Sequence, residues 1–317
     1  MWDEGVTRPR RGGRFAAVAT ALLSVCALVL TGCSSAGAGS GGIVVTTNIL
    51  GDVTREIAGD EAEVTVLMKP GADPHSFAIS ARESAVVEQA GLLVHNGLGL
   101  EEGVQRNVDA AVESGVPDLA VAERVDPIRF SGGDSDGEAD PHFWTDPRRM
   151  RTAVEHITDR IVSDVDGVDE RAVRANAEAY LAKLGELDEW MTRRFDRIPD
   201  DHRTLVTNHH VFGYLAQRYG FTVLGAVIPS GTTLASPSAS DLEDLAGTVR
   251  EAGVPAIFAD STQPDRLANV LADRAGVDVQ VRSLFTESLT GRDGGAPTYL
   301  AMMRANTDAI VDGLTGA

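Results

Sequence analysis

Cysteine is almost absent from this chain of 317 residues. Its two cysteines, Cys26 and Cys33, both lie close to the N terminus, so the chain has no thiol after position 33. This distribution excludes a disulfide framework from the rest of the chain, and it excludes any metal site built on thiolates there. A metal ion bound in that part has to take nitrogen and oxygen ligands.

Positive charge is the second scarce feature. Lysine occurs only at Lys69 and Lys183, and 28 lysines and arginines stand against 47 acidic residues, which gives a formal net charge of −19 at pH 7. Such a surface repels nucleic acid and raises the local concentration of cations. We therefore expect no nucleic-acid partner, although the same charge is also typical of a protein that stays soluble outside the cell.

Only one long apolar run is present, FAAVATALLSVCALVL from Phe15 to Leu30, and four arginines precede it. A run of this length is too short for a stable membrane-spanning helix. A basic segment followed by a short apolar one predicts a secretory signal. The sequence L-T-G-C that ends at Cys33 resembles a bacterial lipobox, in which the cysteine is lipidated and becomes the first mature residue. An ordinary signal peptide that ends near a cysteine is the alternative.

The lipobox interpretation divides the N-terminal part into a signal peptide at 1–32 and a flexible tether at 33–42, whose residues are small. Removal of residues 1–32 would take away four arginines and two acidic residues and change the formal net charge from −19 to −21. A cysteine that carries more than one acyl chain is a durable membrane anchor. We predict an extracytoplasmic protein that is lipid-anchored through Cys33 to the outer face of the cell membrane.

After the tether, short strand-like runs alternate with helical stretches, which predicts an α/β fold with parallel sheets. The predicted strands fall into two sets, 43–48, 64–68 and 92–97, then 204–208, 223–228, 256–260 and 279–284. We predict two lobes, 43–164 and 201–317, each a mostly parallel sheet flanked by helices. One helix of the second lobe is predicted to begin with a capping box of Ser240 and Glu243.

Residues 170–198, between the two sets, carry apolar side chains at every third or fourth position. This spacing indicates a helix with one apolar face. The positions are Val173, Ala177, Tyr180, Leu181, Leu184, Leu187, Met191 and Phe195. At about 1.5 Å per residue, the helix would be roughly 40 Å long. We predict that it joins the lobes as one long rigid helix within a linking segment at 165–200.

The tetrapeptide A-D-P-H occurs twice, in GADPHSF at 71–77 and in EADPHFWTDP at 138–147, although the chain has only 7 histidines. His75 follows a predicted strand, His142 lies in the second proline turn, and His209 follows the strand TLVTN. Loops at the carboxyl ends of parallel strands face a shared crevice, so these three histidines can converge on one site. Taken alone, a loop histidine is more often a turn or surface residue.

Three imidazoles without a nearby thiol suit a divalent first-row metal, and zinc takes three such ligands together with one oxygen. Two acidic residues are candidates for the oxygen ligand. Glu287 follows the strand at 279–284, and Asp260 closes the strand at 256–260. Their positions alone do not decide between them.

Four segments together resemble the signature segments of the cluster A-I solute-binding lipoproteins, the zinc and manganese receptors of ABC importers. They are GADPHSF, ADPHFWTDP, TNHHVFGYLAQRYGF, and LFTESL followed by TYLAMMRANTDAI. They occur in this order over nearly the entire mature chain, and within the family the sequence is most similar to AztC-type zinc receptors. The resemblance implies two α/β lobes, a long connecting helix and a metal held between the lobes.

By motif position, the resemblance implies His75, His142 and His209 as metal ligands. His209 is selected over His210 because the family histidine stands three residues before the phenylalanine of F-G-Y. Manganese-type members tend to have glutamate at this third position, so His209 favours Zn²⁺. The fourth segment departs from the family pattern, because Glu287 stands where F-T-D-S has aspartate. Glu287 is therefore the implied fourth ligand. Because its side chain is longer than that of aspartate, Mn²⁺ or Fe²⁺ stays an alternative to Zn²⁺ as the bound ion.

The resemblance implies a monomeric receptor, not an enzyme, that binds zinc with high affinity and delivers it to the membrane permease of an ABC importer. A metal chaperone is a further candidate partner. A manganese or iron receptor is the alternative within the family. Three histidines with an open position also describe a secreted zinc hydrolase, although no H-E-x-x-H occurs. Affinity is expected to fall at acidic pH, because protonated imidazoles bind no metal.

Several neighbouring residues keep open roles at this point. Asp73 and Asp140 stand two residues before the first two histidines, where each could accept a hydrogen bond from an imidazole or simply form an Asp-Pro turn. His95 borders the cleft by resemblance, and His210 is expected to point away from it. Trp144 either walls the cleft or packs in the core.

Overall fold

The computed structural model describes residues 1–2, 5, 41–276 and 279–316. Cys33 and nearly all of the predicted signal peptide and tether fall outside these ranges. Within the described ranges, no helix is long and apolar enough to cross a membrane.

The first sheet has four parallel strands in the order β2-β1-β3-β4. The strands are β1 (Ile43–Val45), β2 (Val64–Val66), β3 (Leu92–His95) and β4 (Asp118–Ala120). The helices of this first lobe are α1 (Asn48–Ala58), α2 (Ala81–Val87), α3 (Gln105–Glu113) and α4 (Pro147–Asp164). The connection from β1 to β2 and the connection from β3 to β4 run in opposite directions along the sheet, so a crevice opens between the carboxyl ends of β1 and β3.

The second sheet repeats this topology with the order β6-β5-β7-β8, again all parallel. Its strands are β5 (Thr204–Thr207), β6 (Thr222–Ala226), β7 (Ala256–Asp260) and β8 (Gln280–Leu284). The helices of this second lobe are α6 (Gly213–Tyr219), α7 (Ala239–Ala252), α8 (Arg266–Ala275) and α9 (Tyr299–Thr315). The crevice of this sheet lies at the carboxyl ends of β5 and β7.

One long helix, α5 (Glu170–Phe195), links the two lobes and contacts α1 and α4 on one side and α9 on the other. Its buried face carries the predicted apolar residues except Leu181, which is only half-buried. Asp188 lies on the same buried face and accepts hydrogen bonds from Arg218 Nη2 at 2.7 Å and Tyr219 Oη at 2.8 Å. The predicted fold class, two parallel α/β lobes joined by a long helix, is confirmed.

Two local predictions were wrong, and one strand was missed. The strand predicted at 43–48 ends at Val45, because Thr47 caps helix α1, its Oγ1 accepting from Leu50 N at 3.4 Å. The capping box of α7 is formed by Ser238 and Asp241 instead of Ser240 and Glu243, since that helix begins two residues earlier. Strand β4 was not predicted, because its three residues D-L-A include no β-branched or aromatic residue, unlike those of the equally short β1 and β2.

Candidate metal centre

His75 lies in the loop that follows β2 and is buried, with 1% of its surface exposed. Gly71 begins this loop with a φ of 74°, a conformation that favours glycine. The carboxylate of Asp73 accepts a hydrogen bond from the His75 backbone N–H at 2.9 Å, which closes an Asx-type turn around Pro74. The turn fixes the backbone at the point where the imidazole leaves it.

His142 is fully buried, and its ring orientation is set by Asp140. Asp140 Oδ1 accepts from the His142 backbone N–H at 2.9 Å and lies 2.8 Å from the ring Nδ1. A carboxylate acceptor at Nδ1 places the proton there and leaves the Nε2 lone pair free for a metal. Gly213 makes room for this carboxylate, since a Cβ there would lie 2.7 Å from Asp140 Oδ2.

The second lobe supplies His209 and Glu287. His209 lies two residues beyond β5 and is fully buried, with its backbone carbonyl accepting from Thr207 Oγ1 at 2.7 Å. Glu287 lies in the loop after β8 and is 1% exposed. Both loops leave the carboxyl end of the second sheet, where it faces the corresponding end of the first.

The four side chains meet at one point between the lobes. The imidazole centroids form a nearly equilateral triangle, with 5.6 Å between His75 and His142, 5.5 Å between His75 and His209, and 5.3 Å between His142 and His209. One ligand atom from each of these residues and from Glu287 lies within 4.8 Å of all the others. This is the compact donor set that a single cation requires.

The donor atoms have no hydrogen-bond partners among the described residues. They are both ring nitrogens of His75 and of His209, Nε2 of His142, and both carboxylate oxygens of Glu287. Glu287 Oε1 lies 3.0 Å from His209 Nε2 and 3.6 Å from His142 Nε2, but without the alignment of a hydrogen bond. Buried polar atoms without partners are costly, and a bound cation would give a partner to one nitrogen of each imidazole and to the Glu287 carboxylate.

Asp260, the rival oxygen ligand, is also buried but already has a backbone partner. Its Oδ1 accepts from Thr262 N at 2.6 Å, and burial raises the pKa of its carboxyl to about 6. Among the described residues, the group of convergent ligand atoms contains Glu287 and not Asp260. Asp260 instead adds negative charge beside His209 and Glu287.

Burial also controls the protonation of the ligands. It lowers the pKa of His75 to about 4 and that of His142 to about 3, while the nearby Glu287 carboxylate acts in the opposite direction. The pKa of His209 is likewise lowered by burial, and the pKa of Glu287 is raised by it. At neutral pH the imidazoles are therefore neutral and have lone pairs to donate.

Aromatic rings shield one side of the site. Trp144 is 3% exposed, its ring centroid lies 5.3 Å from that of His142, and its Nε1 donates to the Thr286 carbonyl at 2.9 Å. Phe130 was not predicted to lie near the site. Its ring centroid lies 6.0 Å from that of His142 and 6.4 Å from that of the half-buried His210. Its position in an irregular loop offered no periodic signal. Trp144 thus both borders the ligands and belongs to the core.

The other histidines with open roles are not part of the ligand group. His95 Nε2 lies 3.0 Å from Asp118 Oδ2, which pairs the carboxyl end of β3 with β4. His210 is held by its backbone N–H, which donates to the Ser230 carbonyl at 3.0 Å. Neither contributes an atom to the convergent group found among the described residues.

The sequence is similar to a known protein family and to several of its relatives. Residues 43–313 match the family model of the periplasmic component A of the zinc-uptake complex. The chain is 32% identical to the manganese-binding lipoprotein MntA of Halalkalibacterium halodurans over 93% of this chain and 97% of that protein. It is 30% identical to the iron-binding protein YfeA of Yersinia pestis, over 86% of this chain and 85% of that one.

A solved structure agrees with these matches. The periplasmic zinc-binding protein TroA of Treponema pallidum superimposes with a TM-score of 0.79 at 28% identity, over 86% of this chain and 98% of that one. The family model covers well over half of the chain, the matched relatives are named as metal-binding proteins, and the TroA structure shares the fold. The chain therefore belongs to the zinc-uptake component A family, the metal-binding substrate-binding proteins of ABC importers.

Proposed function

We propose that this protein is an extracytoplasmic receptor that binds Zn²⁺ with high affinity and delivers it to the permease of an ABC importer. Membership of the family supplies the coarser role of metal receptor. The observation that supports zinc as the bound ion is the donor set, in which three neutral imidazoles and one carboxylate converge in a buried site. Zinc accepts four nitrogen and oxygen ligands of this kind in a tetrahedral arrangement.

A manganese or iron receptor is the second candidate. It is favoured by Glu287, whose two carboxylate oxygens are both free to bind one ion, because a higher coordination number suits these harder cations better than zinc. MntA and YfeA are named for manganese and iron. The AztC-type assignment within the family, which implies zinc, remains part of the proposal.

A secreted zinc hydrolase fits the donor set less well. A catalytic zinc keeps one position open for the water that it activates. Here Glu287 supplies a fourth ligand atom within 4.8 Å of the three imidazole nitrogens. With four protein ligands, the ion is held as cargo.

The proposed assignment is tested by metal content and competition binding. We expect His75→Ala and Glu287→Ala to lose bound zinc on purification and to weaken zinc affinity by about 10-fold to 1000-fold, since each removes one of four ligands. His202→Ala is the matched control, because His202 is an exposed histidine of the second lobe and its loss should leave zinc affinity unchanged. Wild-type affinity in both ligand variants would contradict the proposed site, and a preference for Mn²⁺ over Zn²⁺ in competition would select the second candidate.

Membrane attachment through Cys33 is proposed on the lipobox-like sequence and on the lipoprotein names of several relatives. In this proposal residues 1–32 are removed, residues 33–42 form the tether, and the lobes act as a monomer. We expect the wild-type protein to partition into a detergent phase and to incorporate labelled fatty acid, whereas Cys33→Ala does neither. Incorporation of label into Cys33→Ala would place the lipid elsewhere.

A further inference from the structure

Asn48, the first residue of α1, lies between two of the loops that carry proposed metal ligands and is 7% exposed. Its Nδ2 donates to Ser288 Oγ at 2.7 Å and to the Lys69 carbonyl at 3.2 Å. Its Oδ1 accepts from Leu289 N at 2.9 Å. One side-chain amide of the first lobe thus contacts the loop of Glu287 in the second lobe and the loop that leads to His75.

The orientation of this amide is fixed by its partners. A backbone carbonyl can only accept and a backbone N–H can only donate, so Lys69 must face Nδ2 and Leu289 must face Oδ1. Ser288 Oγ also accepts from Gly71 N at 3.1 Å, and Leu289 O accepts from that same N–H at 2.9 Å. The two ligand loops are therefore joined directly to each other as well as through Asn48.

The Glu287 loop is held at both ends by asparagines from different lobes. At its start, Asn306 of α9 accepts from Phe285 N at 2.8 Å and donates to the Phe285 carbonyl at 2.9 Å. That contact stays within the second lobe. The contact of Asn48 with Ser288 and Leu289, immediately after Glu287, crosses to the first lobe. It does so beside the two hydrogen bonds from Gly71 N and the one from Trp144 Nε1 to the Thr286 carbonyl.

The structure assigns Asn48 as a positioning residue that sets the Glu287 carboxylate in register with the imidazoles of the first lobe. The inference rests on the proposed role of Glu287 as a metal ligand. His75 and His142 are held by their own Asp-Pro turns, whereas Glu287 departs from its strand on a loop and has no partner for either oxygen. Without the Asn48 side chain, the loop keeps its anchor at Phe285 and its contacts with Gly71 N and Trp144 Nε1, but it loses the amide that holds both Ser288 and Leu289 directly after Glu287.

Residues that support a metal ligand in this way typically change metal affinity by about 10-fold to 100-fold when they are removed. We expect Asn48→Ala to weaken zinc affinity within this range. Ser288→Ala should produce a loss in the same direction, since it removes the shared hydroxyl partner and leaves Asn48 in place. Asn176→Ala is the matched control, because Asn176 Nδ2 also donates to a backbone carbonyl, that of Ile57 at 3.3 Å, but on neither ligand loop.

A double-mutant cycle distinguishes positioning of Glu287 from a general effect on the fold. In the Glu287→Ala background, Asn48→Ala should change zinc affinity by no more than about twofold, because the side chain it positions is gone. In the His142→Ala background, the full loss caused by Asn48→Ala should remain. The d–d absorption of bound Co²⁺ should shift in Asn48→Ala and stay unchanged in Asn176→Ala, a readout that lower stability alone would not move.

Two results would overturn the inference. One is wild-type affinity in Asn48→Ala, and the other is an equal loss in the Glu287→Ala and His142→Ala backgrounds. A separate result, wild-type zinc affinity in the single variant Glu287→Ala, would instead remove the proposed ligand and with it the basis of the assignment. Circular dichroism of each metal-free variant establishes that it is folded before its affinity is compared.

Discussion

The two A-D-P-H loops have the same four residues and both belong to the first lobe, but their aspartates make different hydrogen bonds. Asp140 Oδ1 lies 2.8 Å from the ring Nδ1 of His142 and so leaves Nε2 as the nitrogen that is available to a cation. Asp73 makes no such contact with the His75 ring. Its Oδ2 accepts from Thr233 Oγ1 at 2.6 Å and Gln263 Nε2 at 2.9 Å, both in the second lobe. One repeat thus orients a ligand, and the other joins the lobes beside a ligand.

Proton competition at the ligands leads to a prediction about pH. Metal binding requires neutral imidazoles and an ionised Glu287. Because burial lowers the pKa of His75 to about 4 and of His142 to about 3, these rings stay neutral well below their usual range. Burial raises the pKa of Glu287, so this carboxylate takes up a proton at a higher pH than an exposed glutamate does.

We therefore expect zinc affinity to fall less steeply between pH 7.5 and 5.5, where His75 and His142 stay neutral, than below about pH 4, where these two rings begin to take up protons. Competition titrations with a chelator corrected for its own protonation measure this slope. Imidazoles of ordinary pKa would instead give about tenfold per unit for each of three histidines below pH 6.5. A slope that steep near pH 6 would show that the site is far more hydrated than its burial indicates.

At the scale of elements, the periodic segments were predictable and the short or irregular ones were not. Helix α5 was recognised because its apolar face repeats over 26 residues, whereas β4 has three residues and α1 begins where a strand had been predicted. The four convergent residues were identified by their motifs and by their positions after strands. Phe130 and Asn48 were not. An aromatic residue in an irregular loop has no periodic signal, and no sequence pattern marks the contact of Asn48 with Ser288, 240 residues away.

Hydrogen bonds to the loops hold the candidate ligand side chains in a defined arrangement. The loops of His75, His209 and Glu287 each follow the carboxyl end of a strand. Side chains such as Tyr214, whose Oη donates to the Asp140 carbonyl at 2.7 Å across the lobes, connect the two lobes near the His142 loop. The strand ends and the cross-lobe hydrogen bonds together fix where the candidate ligands lie. Both are needed to bring three rings within 5.3 to 5.6 Å of one another.

For the whole molecule, the division of ligands between the lobes is the decisive feature. His75 and His142 belong to the first lobe, and His209 and Glu287 to the second. The largest cluster of buried apolar residues also runs through both lobes and α5, with members such as Val45, Leu184 and Phe258. An ion bound by these four residues would connect the same parts of the chain as the core does, so an ion that binds only the native arrangement would stabilise the entire two-lobed unit.

Zinc should accordingly raise the melting temperature of the whole protein in a single transition. At a free zinc concentration about 1000 times Kd, binding adds about 4 kcal/mol to the free energy of unfolding, which corresponds to an increase of roughly 10 °C for a chain of this size. Differential scanning calorimetry measures the shift and the number of transitions. Glu287→Ala removes a second-lobe ligand and His75→Ala removes a first-lobe ligand. Both variants should reduce the zinc-induced shift in melting temperature to the same extent, once the difference between their zinc affinities is taken into account. Two separate transitions, of which zinc moves only one, would mean that the ion is held by a single lobe.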